Sequence, residues 1–132
     1  MSGFSTNAAT AIIEHFFKGN PQPARAAYLA LFTEDPTDAA DVSKEISAAW
    51  YVRKPIQLGV VRTESGKEEV ENTAAILFPV VSGSPVTIKA WGIFDAATGG
   101  NMTGSGLFPS EATLPVGFSF LADAGDIKAS FY

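Results

Sequence analysis

From residue 26 to the end, the chain consists of short apolar segments separated by turns rich in glycine and proline. Apolar and polar or small residues alternate with a period of two at residues 114–120 and again at 127–132. Such segments at short spacing are typical of antiparallel β-proteins. We therefore predict a mainly β fold, an antiparallel β-sandwich or jelly-roll of about seven or eight strands.

The predicted strands cover residues 26–33, 50–53 continuing at 56–62, 72–78, 86–94, 102–108, 114–120 and 127–132. Pro55 interrupts the second strand and indicates a sheet edge or a bulge, because proline cannot donate to a strand ladder. We expect residues 34–38 and the acidic stretch 64–71 to form solvated loops or turns. Residues 39–48 fit either a short helix or an irregular excursion.

One amphipathic helix is predicted at residues 5–18, with Ser5 or Thr6 as its N-cap. The sequence Gly-Asn-Pro at residues 19–21 ends it,. Apolar residues recur at i, i+3, i+4, i+7 and i+8, at Ala9, Ile12, Ile13, Phe16 and Phe17,. We expect this stripe to be buried, against either the chain's own sandwich or a second copy. Helix and sandwich (about residues 26–132) form one predicted domain, residues 1–132.

Composition restricts the classes of partner. Hydrophobic residues make up 46% of the chain and charged residues 17%, which suits a protein that covers part of its surface with neighbours. The net charge is −5 and no basic run is present, so we do not expect nucleic-acid binding,. No apolar stretch is long enough to span a membrane and no secretion signal is visible, so we expect no membrane partner and exit from the cell only by lysis.

No residue pattern indicates catalysis, a cofactor or a metal. The absence of cysteine excludes thiolate nucleophiles and zinc–thiolate sites,. His15 is the single histidine, and Glu14 beside it does not share its helix face, so we expect a surface or interface histidine,. The acidic residues follow no calcium-loop spacing and form no carboxylate pair with a recognisable motif. We therefore expect a protein that is not an enzyme and needs no cofactor.

Two aromatic groups remain as candidates for contact with a partner. Trp50 and Tyr51 fit core packing or stacking on a sugar, and their exposure, with that of Trp91, would separate these alternatives. The candidate interface residues are Ile12, His15, Phe16, Phe17, Trp50 and Tyr51.

Residues 91–101 predict the end of a buried strand followed by a tight reversal. Asp95 and Thr98 can hydrogen-bond to nearby backbone, and Gly99, Gly100 and Asn101 tolerate positive φ. These five residues are predicted to have a structural role in the turn.

The same segment resembles the stretch G-I-F-D-A-A-T-G-G-N of a family of small bacteriophage virion proteins that are commonly labelled tail-fibre proteins. Residues 28–36 are similar to the family's L-Y-L-A-L-F-T-x-D-P, residues 72–79 to its N-x-A-x-I-x-F-P, and residues 116–120 to its closing strand. The family usually has Gly-Tyr-x-Arg after the acidic loop. This chain has Ala-Trp-Tyr-Val-Arg at residues 49–53, so the aromatic and the arginine persist without the glycine.

The resemblance implies a structural protein of the virion, assembled in the cytoplasm of the bacterial host. We expect a capsid decoration (cement) protein first and a small tail or tail-fibre component second. Its partners would be the major capsid protein or tail proteins, and we expect a homo-oligomer, either dimer or trimer. The absence of a fibrous repeat argues against a long shaft. A carbohydrate- or receptor-binding module that uses Trp50, Tyr51 or Trp91 is a further alternative.

Overall fold

The computed structural model describes residues 3–64 and 66–131. The chain is mainly β with antiparallel sheets and an N-terminal helix, which confirms the predicted fold class, while jelly-roll connectivity stays a prediction. Helix α1 (Thr6–Ile12) continues into a π-helical turn (Ile13–Phe17), and a 3-10 turn (Val42–Lys44) follows β2. The strands are β1 (Gly3–Phe4), β2 (Tyr28–Phe32), β3 (Lys54–Pro55), β4 (Arg62–Glu64), β5 (Lys67–Glu71), β6 (Ile76–Leu77), β7 (Val86–Phe94), β8 (Met102–Leu114), β9 (Leu121–Ala122) and β10 (Lys128–Phe131).

A five-stranded antiparallel sheet in the order β1-β8-β7-β2-β3 is the largest sheet of the molecule. Its central strand, β7, covers the nine residues that the apolar segment at 86–94 predicted,. β8 extends beyond the predicted end at residue 108, because it follows β7 until Leu114 lies opposite Val86. The register shifts twice along this pair, and each shift marks a bulge or irregularity,.

Strands β2 and β7 are buried on both faces, as the two-sided apolar segment at 26–33 predicted,. One face contributes to the larger core, which also receives residues from β6, β9 and the loops. That core consists of Leu29, Leu31, Ile46, Trp50, Ile56, Ile76, Phe78, Val81, Ile88, Trp91, Ile93, Ala122 and Ile127. The other face carries a smaller cluster, Ala30, Phe32, Ala90, Phe94 and Met102.

Among the described residues, two smaller sheets, β10-β5-β4 and β6-β9, accompany the five-stranded sheet, and the buried Asn72 joins the chain segments between them. Its amide nitrogen donates to the carbonyl oxygens of Ala74 and Asp123, and its amide oxygen accepts the backbone N–H groups of Gly125 and Ile127, each at 3.0 Å. All four hydrogen-bonding positions of the side chain are therefore used, as a buried amide requires.

The acidic stretch that the sequence placed in a solvated turn is a strand. β5 (Lys67–Glu71) pairs with β4 on one side and with β10 on the other. The prediction was wrong because cross-strand ion pairs compensate the carboxylates, as where Arg62 of β4 lies 3.1 Å from Glu71,. The predicted turn at 64–67 includes Ser65, which lies outside the described residues.

Two other predicted strands are mostly irregular. Within residues 50–62, only Lys54–Pro55 pairs with β2, and it forms the edge of the sheet that Pro55 indicated. Within residues 72–78, only Ile76–Leu77 is a strand.

Residues 114–120 alternate in sequence without forming the predicted strand. The Phe118 N–H donates to the Pro115 carbonyl at 3.2 Å, and Gly117 has a φ of +96°, so the chain turns here. Regular pairing resumes at Leu121–Ala122. Val116 and Phe118 are exposed while Leu114 and Phe120 are half-buried, so the alternating apolar residues do not share one buried face. The predicted final strand is observed as β10, and Tyr132 lies outside the described residues.

Candidate functional site

The helical segment, which we call the N-terminal arm (residues 6–17), is fastened to the sheet at its first turn. Ser5 is its N-cap and accepts the N–H of Ala8 at 3.1 Å,. The same hydroxyl donates to the carbonyl of Met102, and the Ser5 N–H donates to the carbonyl of Thr103 at 2.9 Å. Ser5 is buried, so the start of the arm is fixed to β8.

The far half of the arm is uncovered. Phe16 and Phe17 are 75% and 80% exposed and Ile13 is 51% exposed, while Ile12 is half-buried. Ala8 is the arm's buried residue among those described. Of the two predicted covers for this stripe, the chain's own sandwich does not cover Ile13, Phe16 and Phe17. Burial against a second copy stays a prediction.

The arm ends in a π-helical turn that holds its aromatic tip in place. The N–H of Lys18 bonds to the carbonyl of Ile13, five residues back, at 3.2 Å,. The Glu14 carboxylate lies 3.2 Å from Lys18 Nζ and accepts Asn20 Nδ2 at 2.5 Å. The Asn20 N–H also donates to the Glu14 carbonyl at 2.8 Å. These contacts close the C-terminal end, where helices otherwise leave carbonyl groups unpaired.

His15 lies on the surface of this tip. Its ring contacts the ring of Phe16 edge to face, with centroids 4.8 Å apart. It therefore adds to the aromatic surface of the arm beside Phe16.

Trp50 and Tyr51, unlike the tip of the arm, are covered by the rest of the chain. Trp50 is 8% exposed in the larger core, and Trp91 is 2% exposed. Tyr51 is half-buried and its ring stacks on Phe78, with centroids 6.3 Å apart. By the exposure criterion stated above, these side chains support the fold, and neither indole presents a face for a sugar.

The turn between β7 and β8 depends on Asp95. Its carboxylate accepts the N–H of Asn101 at 2.7 Å, and its own N–H donates to the Asn101 carbonyl at 3.0 Å. Gly99 and Gly100 have φ values of +62° and +71°, in the left-handed region that favours glycine,. Thr98 is exposed, and among the described residues its side chain has no hydrogen-bond partner.

A single arginine clamps this turn onto the body of the molecule. Arg53 Nη1 donates to the carbonyls of Ala96 at 3.0 Å and of Gly99 at 2.7 Å. Its Nε and Nη2 donate to the two carboxylate oxygens of Glu45 at 2.8 and 2.9 Å, and the guanidinium lies 3.7 Å above the ring of Phe94,. The Arg53 and Glu45 side chains are 6% and 13% exposed, so the pair is shielded from solvent.

The clamp includes the hydroxyl of Tyr51, which donates to Glu45 at 2.6 Å and accepts the N–H of Leu31 at 3.1 Å. Burial of the phenol, together with its hydrogen bond to Glu45, raises the pKa of Tyr51 well above its ordinary 10.0,. Burial acts to lower the pKa of Arg53, but the hydrogen bond and charge of Glu45 outweigh it, so that pKa is also raised. Both pKa values are raised, so both groups keep their protons at neutral pH, and the arrangement fixes the loop.

The candidate residues thus fall into two places. Ile12, His15, Phe16 and Phe17 lie on the arm. Tyr51 is connected to the turn by hydrogen bonds, because its hydroxyl donates to Glu45 and Glu45 accepts from Arg53, which holds the turn. No group of three His, Asp or Glu able to hold a metal occurs within residues 3–64 and 66–131. The helices of that part of the chain are too short to cross a membrane.

Sequence reasoning missed the partners of the clamp and one exposed surface. Arg53 matches the arginine of the family's Gly-Tyr-x-Arg segment, but no pattern in the sequence indicated that it pairs with Glu45. The missed surface lies where residues 72–88 meet residues 112–122, and its signal was the absence of any charged residue from both stretches.

The fold and these sites can be compared with known proteins. A search of curated proteins found no match. Residues 3–130 match the model of a family described as podophage GP4 fiber I protein gp80. Because the match covers nearly the whole chain, the protein belongs to the podophage GP4 fibre I (gp80) family.

Proposed function

We propose that this chain is a non-enzymatic structural subunit of a bacteriophage fibre and that it attaches to the virion through the N-terminal arm. The family match over residues 3–130 supports the fibre role, and the exposed aromatic tip supports the site of attachment. Assembly takes place in the host cytoplasm, and the partner is a virion protein of the tail or the capsid.

The arm suits attachment because it is held at one end and uncovered at the other. Aromatic side chains are enriched at the centres of protein interfaces, and full burial of one large apolar side chain contributes about 1.5–3 kcal/mol. Phe16 and Phe17 would supply most of that gain. Since the tip is closed by Glu14 and Asn20, little conformational entropy is lost on binding,.

Decoration of the capsid is a second candidate. An arm that is fixed to β8 at one end and exposes aromatic side chains at the other also suits binding to a repeated capsid surface. If the chain bound only the assembled shell, its binding would stabilise the shell against disassembly. The carbohydrate-binding alternative receives no such support, because Trp50 and Trp91 are buried.

The test is to mix the purified chain with virions that lack it and, in parallel, with tailless heads, and to count the bound copies per particle. Saturable binding of few copies, confined to tailed particles, is the expected result. Many copies on tailless heads would replace the fibre role with capsid decoration. Binding to neither particle would overturn both.

The arm is tested with a double substitution, Phe16→Ser with Phe17→Ser. Val60→Ser with Val61→Ser is the matched control, because these two apolar residues are also exposed but lie outside the arm. We expect the arm variant to lose binding and the control to retain it. Equal binding by the two variants would show that attachment occurs elsewhere.

A further inference from the structure

Five large apolar side chains form an exposed surface on the β6–β9 side of the molecule. We call it the uncharged face, and its members are Leu77, Val80, Val116, Phe118 and Leu121. Each is between 50% and 59% exposed, so about half of every side chain already faces solvent.

Main-chain hydrogen bonds hold the face together. Leu77 and Leu121 lie directly opposite each other in the antiparallel pair. Beyond that pair, the Val81 N–H donates to the Phe118 carbonyl at 2.8 Å and the Gly117 N–H donates to the Val81 carbonyl at 2.9 Å. Phe78 and Val81, which follow the exposed Leu77 and Val80 in sequence, are buried in the larger core, so the core backs this side of the face.

A groove of about 620 Å³ adjoins this face and is lined in part by Leu107, Phe108, Phe120 and Leu121. Leu121 belongs to both the groove and the face. Asp126 and Lys128, which carry opposite charges, also line the groove. The molecule therefore presents an exposed aromatic side chain, Phe118, and a mainly apolar groove on neighbouring surfaces. An aromatic anchor that enters an apolar pocket is the usual centre of a protein interface.

Charge indicates what covers the face. Residues 72–88 and 112–122 contain no charged residue, and charges resume only beyond them, at Glu71, Lys89, Glu111 and Asp123. The chain as a whole has a net charge of −5. A symmetric contact through these two stretches therefore places no like charges of the two copies opposite each other.

We infer that the uncharged face binds the same face of a second copy, giving a dimer with two-fold symmetry in which Phe118 of each chain contacts the groove of the other. An isologous contact of this kind buries both anchors at once. The inference rests on this face alone and goes beyond the proposed attachment to the virion.

Other occupants fit the face less well. It carries no lysine or arginine to contact anionic lipid head groups,. A charged protein partner finds no counter-charge on it. The tip of the arm, by contrast, is flanked by Glu14 and Lys18 and suits a partner with charges of its own.

The exposed area fits the centre of such an interface. At about 25 cal/mol per Å², a side chain worth about 1.5–3 kcal/mol has roughly 60–120 Å² of surface, so five half-exposed side chains supply roughly 150–300 Å². A standard interface buries about 800 Å² per partner, and the groove and the uncharged loops beside the face would supply the remainder.

The test is sedimentation equilibrium of the full chain over about two orders of magnitude in concentration. We expect a reversible monomer–dimer equilibrium for the wild type. Phe118→Glu should raise the dissociation constant at least about tenfold, equivalent to about 1.4 kcal/mol. Val60→Glu is the matched control, because it makes the same charge change at an exposed apolar residue outside the face, and it should dimerise like the wild type.

Leu77→Glu provides a second disruption of the face in case Phe118→Glu unfolds, which thermal melting would reveal. Added salt should tighten the dimer, because it screens the repulsion between two chains of net charge −5 and the face itself has no ion pairs to weaken,. A wild type that stays monomeric, a trimer, or equal dissociation constants for Phe118→Glu and Val60→Glu would each overturn the inference. None of these results depends on virion binding, so the two proposals can fail separately.

Discussion

The N-terminal arm and strand β7 carry similar apolar residues but differ in what covers them. Trp91, Ile93 and Phe94 of β7 are buried, since β7 has a paired strand on each side and a cluster on each face. Phe16 and Phe17 of the arm are 75% and 80% exposed, so the sheet does not cover the far half of the arm. The pattern of apolar residues therefore predicts whether a segment is a helix or a strand and which of its faces is apolar. It does not predict whether that face is buried by the same chain or by another molecule.

The largest expected effect comes from shortening one phenylalanine in each region. Phe94→Ala should lower the free energy of unfolding by about 3–5 kcal/mol, because it leaves a cavity in a buried cluster and removes the ring beneath Arg53,. Phe17→Ala should change it by less than about 0.5 kcal/mol. Urea unfolding of dilute protein measures both, and equal losses would contradict the contrast between arm and strand.

The next effect comes from the clamp. Arg53→Ala should cost about 3 kcal/mol, because it leaves Glu45 shielded and unpaired and frees the carbonyls of Ala96 and Gly99,. Amide hydrogen exchange in the turn should become faster. Arg25→Ala is the control from the arm region, where the guanidinium bonds to Asn7 at an exposed site, and it should cost less than about 1 kcal/mol,. A loss for Arg53→Ala as small as that of the control would show that the turn is stable without the clamp.

Two adjacent glycines refine the comparison inside the turn. A Cβ at Gly100 would lie 2.5 Å from Asp95 Oδ1 and 2.7 Å from the Ala96 Cβ, whereas one at Gly99 meets no atom within 4 Å. Both residues have positive φ, so either substitution costs about 1 kcal/mol in backbone strain,. Gly100→Ala should cost about 1–2 kcal/mol more than Gly99→Ala in thermal or urea unfolding. Equal costs would mean that Asp95 can move aside freely.

The smallest effect depends on pH. Since burial raises the pKa of Tyr51 above 10.0 in the folded chain, its contribution to stability is complete below about pH 10 and declines at higher pH, where the unfolded chain loses the proton first,. Tyr51→Phe should cost about 1 kcal/mol at pH 7, through loss of the bonds to Glu45 and Leu31, and should show a shallower decline above about pH 10,. Tyr28→Phe, which keeps Tyr51, should decline like the wild type. Parallel declines in all three proteins would contradict the assignment.

Much of the fold was predictable from the sequence where local chemistry decides it. Strand β7 was predicted at its observed bounds, because nine residues of apolar, β-favouring sequence end in a glycine-rich turn,. β5 was missed because its carboxylates are compensated by cross-strand pairs that no local pattern contains. Residues 114–120 were misassigned because the chain turns between Pro115 and Phe118, which leaves Val116 and Phe118 exposed despite the alternating pattern.

The candidate site was predictable only in part, for the same reason. Gly99 and Gly100 predict a chain reversal by their residue type alone, because glycine readily adopts positive φ. The clamp joins Glu45, Arg53 and the carbonyls of a loop more than 40 residues farther along the chain, and such long-range pairing leaves no local pattern. Burial of Trp50 and exposure of Phe17 are likewise decided by tertiary packing.

The uncovered tip of the arm has a consequence for the protein's evolution. Substitutions of Phe16 and Phe17 are almost free of folding constraint, because these side chains make so little contact with the sheet,. Selection can therefore act on the tip separately from the sheet, which the contacts of Asn72 and Arg53 hold. If the partner protein in the virion changes, substitutions in this short segment can restore binding while the remaining residues of the domain stay unchanged.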